Sequence, residues 1–243
     1  MTILITGAGG TLGKAFIKLL KDDHDIIALD DSEWAIAELS EVKTQLKDFS
    51  KWRYNQDPCD LIIHCAAYKH INLGEDNIHS FIENNVTKTG RLFSEAYKHN
   101  VDILFISTDK AVEPISTYGF TKALGEKLCY EYGGKVARLG NILSSSGSVI
   151  PVWEQAIENG EPLPVTDPHM TRYLISADKA VAEVWKGYQT SDRLIIPDMG
   201  EPVKLMDLVE QVFDKHNVSD RRTRVIGIRA GEKLNEKLRW DYE

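Results

Sequence analysis

An α/β fold built on a doubly wound parallel sheet is predicted by three features of the chain. A short apolar strand opens it, a glycine-rich turn leads directly into an amphipathic helix, and apolar strands then alternate with polar helical stretches. Thr2-Ile3-Leu4-Ile5-Thr6 reads as a buried strand, the glycines that follow as a turn, and Leu12 to Leu20 as a helix. A second strand, Ile26-Ile27-Ala28-Leu29, ends at Asp30; a third is read at Leu61-Ile62-Ile63-His64 and a fourth at Ile103-Leu104-Phe105-Ile106. Strands joined in this way run parallel through right-handed crossovers.

After Val136-Ala137-Arg138-Leu139 the pattern loosens into Ser144-Ser145-Ser146-Gly147-Ser148 and Glu161-Pro162-Leu163-Pro164, which read as loops. Regularity returns with a strand at Leu194-Ile195-Ile196 and a helix from Leu205 to Phe213. The expected organisation is a single compact unit over residues 1–243, with a dinucleotide-binding core at about 1–143 and 174–197. A small C-terminal substrate-binding lobe is expected from about 144–173 and 198–243.

Composition narrows the function. A formal charge of −8 excludes a general nucleic-acid binder, because a phosphate backbone needs a basic stripe to neutralise it. The first residues lack the basic start and long apolar run of a secretion signal, and no apolar stretch approaches the ~20 residues that span a bilayer. A cytoplasmic protein without membrane partners is expected. Cys59, Cys65 and Cys129 have neither zinc-ligand spacing nor the even count of a disulfide framework, and read as buried thiols in a reducing compartment. His64, His70 and His169 lack the spacing of a helical metal pair, so no metal is expected. Trp34, Trp52, Trp153 and Trp185 read as core or interface residues.

Gly7, Gly10 and Gly13 form a G-x-x-G-x-x-G run between the first strand and the first helix, which Thr11 and Leu12 open. The glycines permit a tight turn, close approach of backbone to a pyrophosphate, and close helix packing, with the phosphates at the helix N-terminus. This is a Rossmann-like dinucleotide site. Asp30 ends the second strand 17 positions after Gly13, where a carboxylate can accept hydrogen bonds from an adenosine ribose. Asp31 and Glu33 beside it would repel a 2′-phosphate, which favours NAD over NADP. The competing reading makes Asp30 a cap for the following helix and lets Lys14 pair with a phosphate, as NADP would require.

Tyr118 and Lys122 lie four apart, on one face of a helix. A neighbouring ammonium and a nicotinamide lower a phenol's pKa, so that it can take a hydroxyl proton during hydride transfer. Thr108, ten residues upstream at the end of the fourth strand, can offer a hydroxyl to the same oxygen. A glycine turn, a hydroxyl after the fourth strand and Tyr-x-x-x-Lys, in this order, resemble the extended short-chain dehydrogenase/reductases. Asp109-Lys110 adds an acid and an amine that redox chemistry alone does not need. A dehydratase needs both: a C4 ketone acidifies C5–H for an amine base, and a carboxylic acid protonates the departing C6 hydroxyl. The bland alternative is a surface ion pair of neighbours.

The strings Ala66-Ala67-Tyr68-Lys69-His70, Ser107-Thr108-Asp109-Lys110-Ala111-Val112, Gly140-Asn141, Gly147-Ser148-Val149-Ile150-Pro151, Val165-Thr166-Asp167-Pro168, Met170-Thr171-Arg172, Asp198-Met199-Gly200-Glu201-Pro202-Val203 and Gly231-Glu232-Lys233-Leu234 are similar to those of the UDP-N-acetylglucosamine 4,6-dehydratases of polysaccharide and nonulosonic-acid biosynthesis. The resemblance runs from Thr2 to about Leu238. It implies that Tyr118 deprotonates the C4 hydroxyl, Lys110 removes the C5 proton and Asp109 assists loss of water from C6, in a cycle that consumes no cofactor. Ala66 and Ala67 would line the cofactor, Lys69 and the amide of Asn141 would reach the substrate, and Glu232 would accept hydrogen bonds from the uridine ribose. Arg172 and Arg229 are candidates for the diphosphate, since a guanidinium fork matches phosphate oxygens.

Three positions depart from the resemblance: Ser146 stands where an Arg is frequent, Asp31 where NADP users tend to carry an Arg, and Ala230 in place of a Pro before Gly231. Little sequence follows Glu232, so a sugar pocket that is open, or one closed by a partner subunit, is expected. Resemblance also implies a homo-oligomer, at least a dimer, pairing helices near residues 80–99 and 118–132. A nucleotide-sugar 4-epimerase and a non-catalytic dinucleotide sensor are the alternative functions.

Overall fold

The computed structural model describes residues 1–143 and 149–241. Among them, seven strands form one parallel sheet: β1 (Thr2–Thr6), β2 (Asp25–Asp30), β3 (Lys43–Leu46), β4 (Leu61–His64), β5 (Asp102–Thr108), β6 (Lys135–Leu139) and β7 (Leu194–Ile195). Their spatial order is β7-β6-β5-β4-β1-β2-β3. The principal helices are α1 (Thr11–Leu20), α2 (Thr89–Lys98), α3 (Thr117–Glu131), α4 (Val149–Glu158), α5 (Ala177–Tyr188) and α6 (Leu205–Lys215).

Successive strand residues point to opposite faces, and the apolar runs therefore feed two cores at once. Ile3, Ile5, Ile26, Ala28, Leu61, Ile63, Leu104 and Ile106 pack under α1 and α5. Leu4, Ile27, Leu29, Ile62, Ile103 and Phe105 pack under α2 and α3. Each such side chain, fully buried, contributes ~1.5–3 kcal/mol relative to exposure.

Lys43–Leu46 has no counterpart in the sequence reading, so the strands expected as third and fourth are β4 and β5. β3 pairs only with β2 and three of its four residues are exposed, and an edge strand of this kind carries no apolar alternation to read. Trp34 is 76% exposed on the short helix Glu33–Ala37, outside the core that buries Trp52 and Trp153. Cys59 and Cys129 are buried, whereas Cys65 is only partly so.

The later stretches build a lobe of their own around Trp153, Leu163, Val165, Leu205, Val209 and Phe213. Leu163–Val165 pairs in parallel with Thr223–Val225, and Thr171–Arg172 pairs antiparallel with Val203–Lys204. Asn141–Ile142, directly after β6, pairs with Leu174–Ile175 and brings this lobe to the carboxyl ends of the central strands. Ser146, the position of the expected missing Arg, lies outside the described residues.

Candidate active site

The chain leaves β1 toward β2 on one side and returns to β4 on the other, so the strand order reverses between β1 and β4. The crevice at the carboxyl ends of strands at such a point is where open α/β sheets bind ligands. Gly7, at φ +65°, closes against the loop after β4: a Cβ there would come within 2.7 Å of the Ala66 amide nitrogen. A Cβ on Gly13 would overlap the Gly7 carbonyl. Gly10 caps α1 without a side-chain hydrogen bond, leaving the first-turn amides open to an anion. Asp30 accepts from Gly9 N at 3.0 Å and Ser32 N at 3.1 Å, tying the glycine turn to the loop after β2. The following helix is capped by Ser32 Oγ, so Asp30 is not its cap, and Lys14 is ion-paired with Glu38. A backbone cradle with no room for side chains, an uncapped helix start and a carboxylate at the end of β2 fit a dinucleotide.

β5 delivers the reactive groups. Thr108 ends the strand and caps a single 3-10 turn, Asp109–Ala111. Its hydroxyl donates to Asp109 Oδ1 at 2.9 Å, and the Tyr118 phenol lies beside it. Lys110 Nζ lies 3.0 Å from Asp109 Oδ1 and 3.0 Å from Asn141 Oδ1. Asp109 is fully buried, and its second oxygen, Oδ2, has no hydrogen-bond partner. The pair is therefore interior, not the surface pair of neighbours weighed above. A buried carboxyl oxygen left open costs stability unless a ligand or a proton occupies it.

On α3, Ser116 Oγ caps the first turn through Gly119 N, and Tyr118 and Lys122 follow on one face. Burial pushes the Tyr118 phenol up, with the Thr108 hydroxyl opposing and the Asp109 charge adding to the rise. That is opposite to the lowering expected from Lys122. The Lys122 ammonium is directed elsewhere: it donates to the Ile106 carbonyl at 2.6 Å and sits 3.9 Å from the Phe105 ring centroid. Burial lowers Lys122 to about 7, opposed by Glu126.

A segment without regular structure, residues 229–240, crosses the mouth of this cluster. Gly231 is seated against Ser116 and Ile71, and Lys233 Nζ donates to the Val112 carbonyl at 2.6 Å. Arg172 spends its guanidinium on this segment, donating to the carbonyls of Thr171, Lys233 and Leu234 at 2.7, 2.9 and 3.0 Å. Glu232 accepts from the backbone of Arg229 at 3.2 Å, and the Arg229 side chain is exposed. Lys69 stands on the exposed loop after β4, its pKa lowered by partial desolvation. Thr108, Asp109, Lys110, Tyr118 and Asn141 thus form one cluster. Gly7 to Gly13 lie against Ala66 and Asp30 at the carboxyl ends of β1, β2 and β4, and Ala67 follows Ala66 on the same loop, whereas Arg172, Arg229 and Glu232 belong to the crossing segment and its anchor.

Four polar residues of the site had no place in the sequence reading. Glu236 is buried with its Oε1 3.7 Å from Lys110 Nζ. Asn85 sits on a π-helical turn, Glu83–Lys88, and clamps the loop after β4 by accepting from Tyr68 N and donating to Tyr68 O, both at 2.8 Å. Glu126 and Arg138 pair beneath α3. The available signal for Asn85 was a polar pair, Asn84-Asn85, inside an otherwise amphipathic helical stretch.

The family model for "Polysaccharide biosynthesis protein" matches residues 3–243. A Methanocaldococcus jannaschii protein described as an uncharacterized membrane protein is 35% identical over 98% of this chain and 80% of its own length. Among the described residues, no helix is long and apolar enough to cross a membrane. The UDP-N-acetylglucosamine 4,6-dehydratase (inverting) of Campylobacter jejuni is 31% identical over 96% of this chain and 76% of its own. The capsular polysaccharide biosynthesis protein CapD of Staphylococcus aureus is 34% identical over 98% of this chain, which spans only 45% of that relative. In fold, the chain matches the UDP-glucuronic acid 4-epimerase of Bacillus cereus, solved with UDP-glucuronic acid and NAD, at a TM-score of 0.88 and 18% identity, over 97% of this chain and 89% of that one. The chain therefore belongs to the polysaccharide biosynthesis protein family, within the extended short-chain dehydrogenase/reductases that include nucleotide-sugar dehydratases and epimerases.

Proposed function

We propose that this chain is a 4,6-dehydratase of a UDP-amino sugar, converting UDP-N-acetylglucosamine to a UDP-4-keto-6-deoxy-hexosamine. The observation that carries the reading is the buried Asp109-Lys110 pair, with one Asp109 oxygen unpartnered, beside the Thr108 and Tyr118 hydroxyls. The glycine turn Gly7 to Gly13, with Asp30 at its edge, would hold a nicotinamide dinucleotide, which would supply the hydride chemistry between C4 and C6. Tyr118 takes the C4 hydroxyl proton, with Thr108 orienting the same oxygen. Lys110 Nζ takes the C5 proton and at the end of the cycle gives one back to C5, and Asp109 gives a proton to the C6 hydroxyl, which leaves as water. Asn141 also holds the amine, through its Oδ1 at 3.0 Å.

NAD is the proposed dinucleotide in preference to NADP. Support comes from the Asp30 carboxylate at the end of β2, with Asp31 and Glu33 after it and Lys14 already paired with Glu38. Arg172 and Arg229 are proposed to meet the diphosphate as the 229–240 segment settles, with Glu232 on the uridine ribose and Lys69 at the sugar. The site is proposed to work in the cytoplasm, where dinucleotide and UDP-sugars are at hand and the three free thiols stay reduced. A second copy is proposed to pair along Ile78–Lys98 and α3, whose outward faces expose Ile78, Ile82, Phe120 and Leu124. Sedimentation of Phe120→Asp as a monomer beside a wild-type dimer would support that pairing; a monomeric wild type would end it.

Incubation with UDP-N-acetylglucosamine in deuterated buffer, followed by NMR, tests the reading. A 6-deoxy-4-keto sugar with deuterium at C5 is expected, and Lys110→Ala should lose it while still binding the nucleotide sugar. Tyr118, Lys122 and Thr108 alone would serve a 4-epimerase, which leaves C5 protonated and C6 hydroxylated; that spectrum would replace the dehydratase. A chain that binds dinucleotide and turns over no UDP-sugar would be a sensor.

A further inference from the structure

The amine of Lys110 has three hydrogens to place and three oxygens around it. Asp109 Oδ1 and Asn141 Oδ1 each lie at 3.0 Å, and Glu236 Oε1 lies at 3.7 Å. The first two come from the strand ends that build the cluster. The third arrives on the crossing segment, from the far end of the chain. Glu236 is 7% exposed, and a carboxylate is not brought into the interior unless cations meet it there. Its other oxygen, Oε2, lies 3.1 Å from Lys233 Nζ, and that same ammonium donates to the carbonyl of Val112 at 2.6 Å. Val112 is the residue on which the Asp109–Ala111 turn ends. The segment therefore grips this turn twice, by backbone at Val112 and by side chain at Lys110.

We infer that Glu236 is a positioning residue that sets the protonation of Lys110, so that the segment bearing it controls when the amine acts as a base. The consequence for turnover rests on the dehydratase reading; the interaction does not. The charged or titratable groups facing Lys110 are Asp109 and Glu236, with the Tyr118 phenol across Thr108 and Lys233 behind Glu236. A carboxylate beside an amine favours the ammonium. Seated, Glu236 stabilises the ammonium that forms when Lys110 takes the C5 proton, and a solvent-exchanged hydrogen of that ammonium returns to C5. Withdrawn, it leaves the amine with Asp109 and Asn141 alone. Arg172 binds the carbonyls of Lys233 and Leu234, so a ligand that drew on this arginine would move the segment and Glu236 together.

The test is the pH midpoint of Lys110 acetylation in the full-length chain, measured by competitive labelling with acetic anhydride and mass spectrometry. Removing a charge this close is expected to lower the midpoint by about one pH unit or more in Glu236→Gln relative to wild type. Glu236→Asp, which keeps the charge on a shorter stem, should fall between them and serves if the Gln variant does not fold. The acid limb of deuterium incorporation at C5 should move the same way, a displacement that loss of packing alone does not produce. Equal midpoints in wild type and both variants would overturn the proposal. A wild type that incorporates no deuterium at C5 would remove the dehydratase reading, and the labelling midpoints would still decide the role of Glu236.

Discussion

Arg138 and Glu126 meet in two parallel contacts, Nε to Oε1 at 3.1 Å and Nη2 to Oε2 at 2.7 Å, in the interior between β6 and α3. The same guanidinium donates to the Leu238 carbonyl at 2.9 Å, and Ser107 Oγ donates to Glu126 Oε1 at 2.5 Å. One pair thus joins the strand beneath the site, the helix that carries Tyr118 and Lys122, and the crossing segment. Removing one partner strands a buried charge. Glu126→Ala should cost about 3–5 kcal/mol in urea unfolding, and Glu126→Leu with Arg138→Leu together should recover much of it. If the double variant lost the sum of two single losses, the pair would not be the unit of stability.

Asp109 Oδ2 has no hydrogen-bond partner among the described residues, while Oδ1 already serves Thr108 and Lys110. Asp109→Asn keeps the shape and removes the proton that a departing hydroxyl needs. Dehydration should fall by about 10²–10⁴-fold, while deuterium exchange at C5 of the bound sugar continues. Equal loss of both would show that Asp109 acts only by placing Lys110.

The sheet and the cofactor turn were legible because their chemistry is local: apolar runs mark buried strands, and glycine spacing marks a turn no other residue can make. β3 escaped because an exposed edge strand carries no apolar alternation to read. The candidate cluster was legible through short spacings, Thr108 to Lys110 and Tyr118 to Lys122. Glu236 was not, because Lys110 lies far from it in sequence and a lone charged residue in a chain of −8 reads as surface; Arg138 read only as part of an apolar string, with nothing to signal its pairing with Glu126. Arg172 shows the converse. Its type suited a phosphate, yet three backbone carbonyls claim its guanidinium in the fold.

His64 is fully buried at the end of β4, with Nδ1 2.6 Å from Thr6 Oγ1 and Nε2 3.0 Å from Thr89 Oγ1. Burial, and then the Lys122 charge, hold its pKa well below 6.5. Below 6.5 the unfolded imidazole binds a proton that the folded one refuses, so stability falls as pH drops through that value, by up to ~1.4 kcal/mol per unit, until the folded group titrates. His64→Gln should lower stability at pH 7 by about 1–3 kcal/mol and flatten the decline between pH 6.5 and 5. Urea midpoints measured across that window check both. An unchanged slope would mean that other groups carry the acid sensitivity.

Gly231 holds the crossing segment in place at a point where no side chain fits. Its φ is +81°, and a Cβ there would approach Ser116 Cβ to 2.8 Å and Ile71 Cγ2 to 2.9 Å. Glu75, on the same wall, accepts from Thr117 N at 2.7 Å and fixes the start of α3. Gly231→Ala must therefore lift the segment, and with it Lys233 and Glu236, from the turn bearing Lys110. Displacement by about an ångström is enough to lower turnover ten- to a hundredfold. The glycine crevice lies at β1 and β4, outside this contact, so dinucleotide affinity, read by titration of protein fluorescence, should stay at the wild-type value. Loss of both would mean that the segment supports the whole fold; loss of neither would mean that the segment is not needed over the site during turnover.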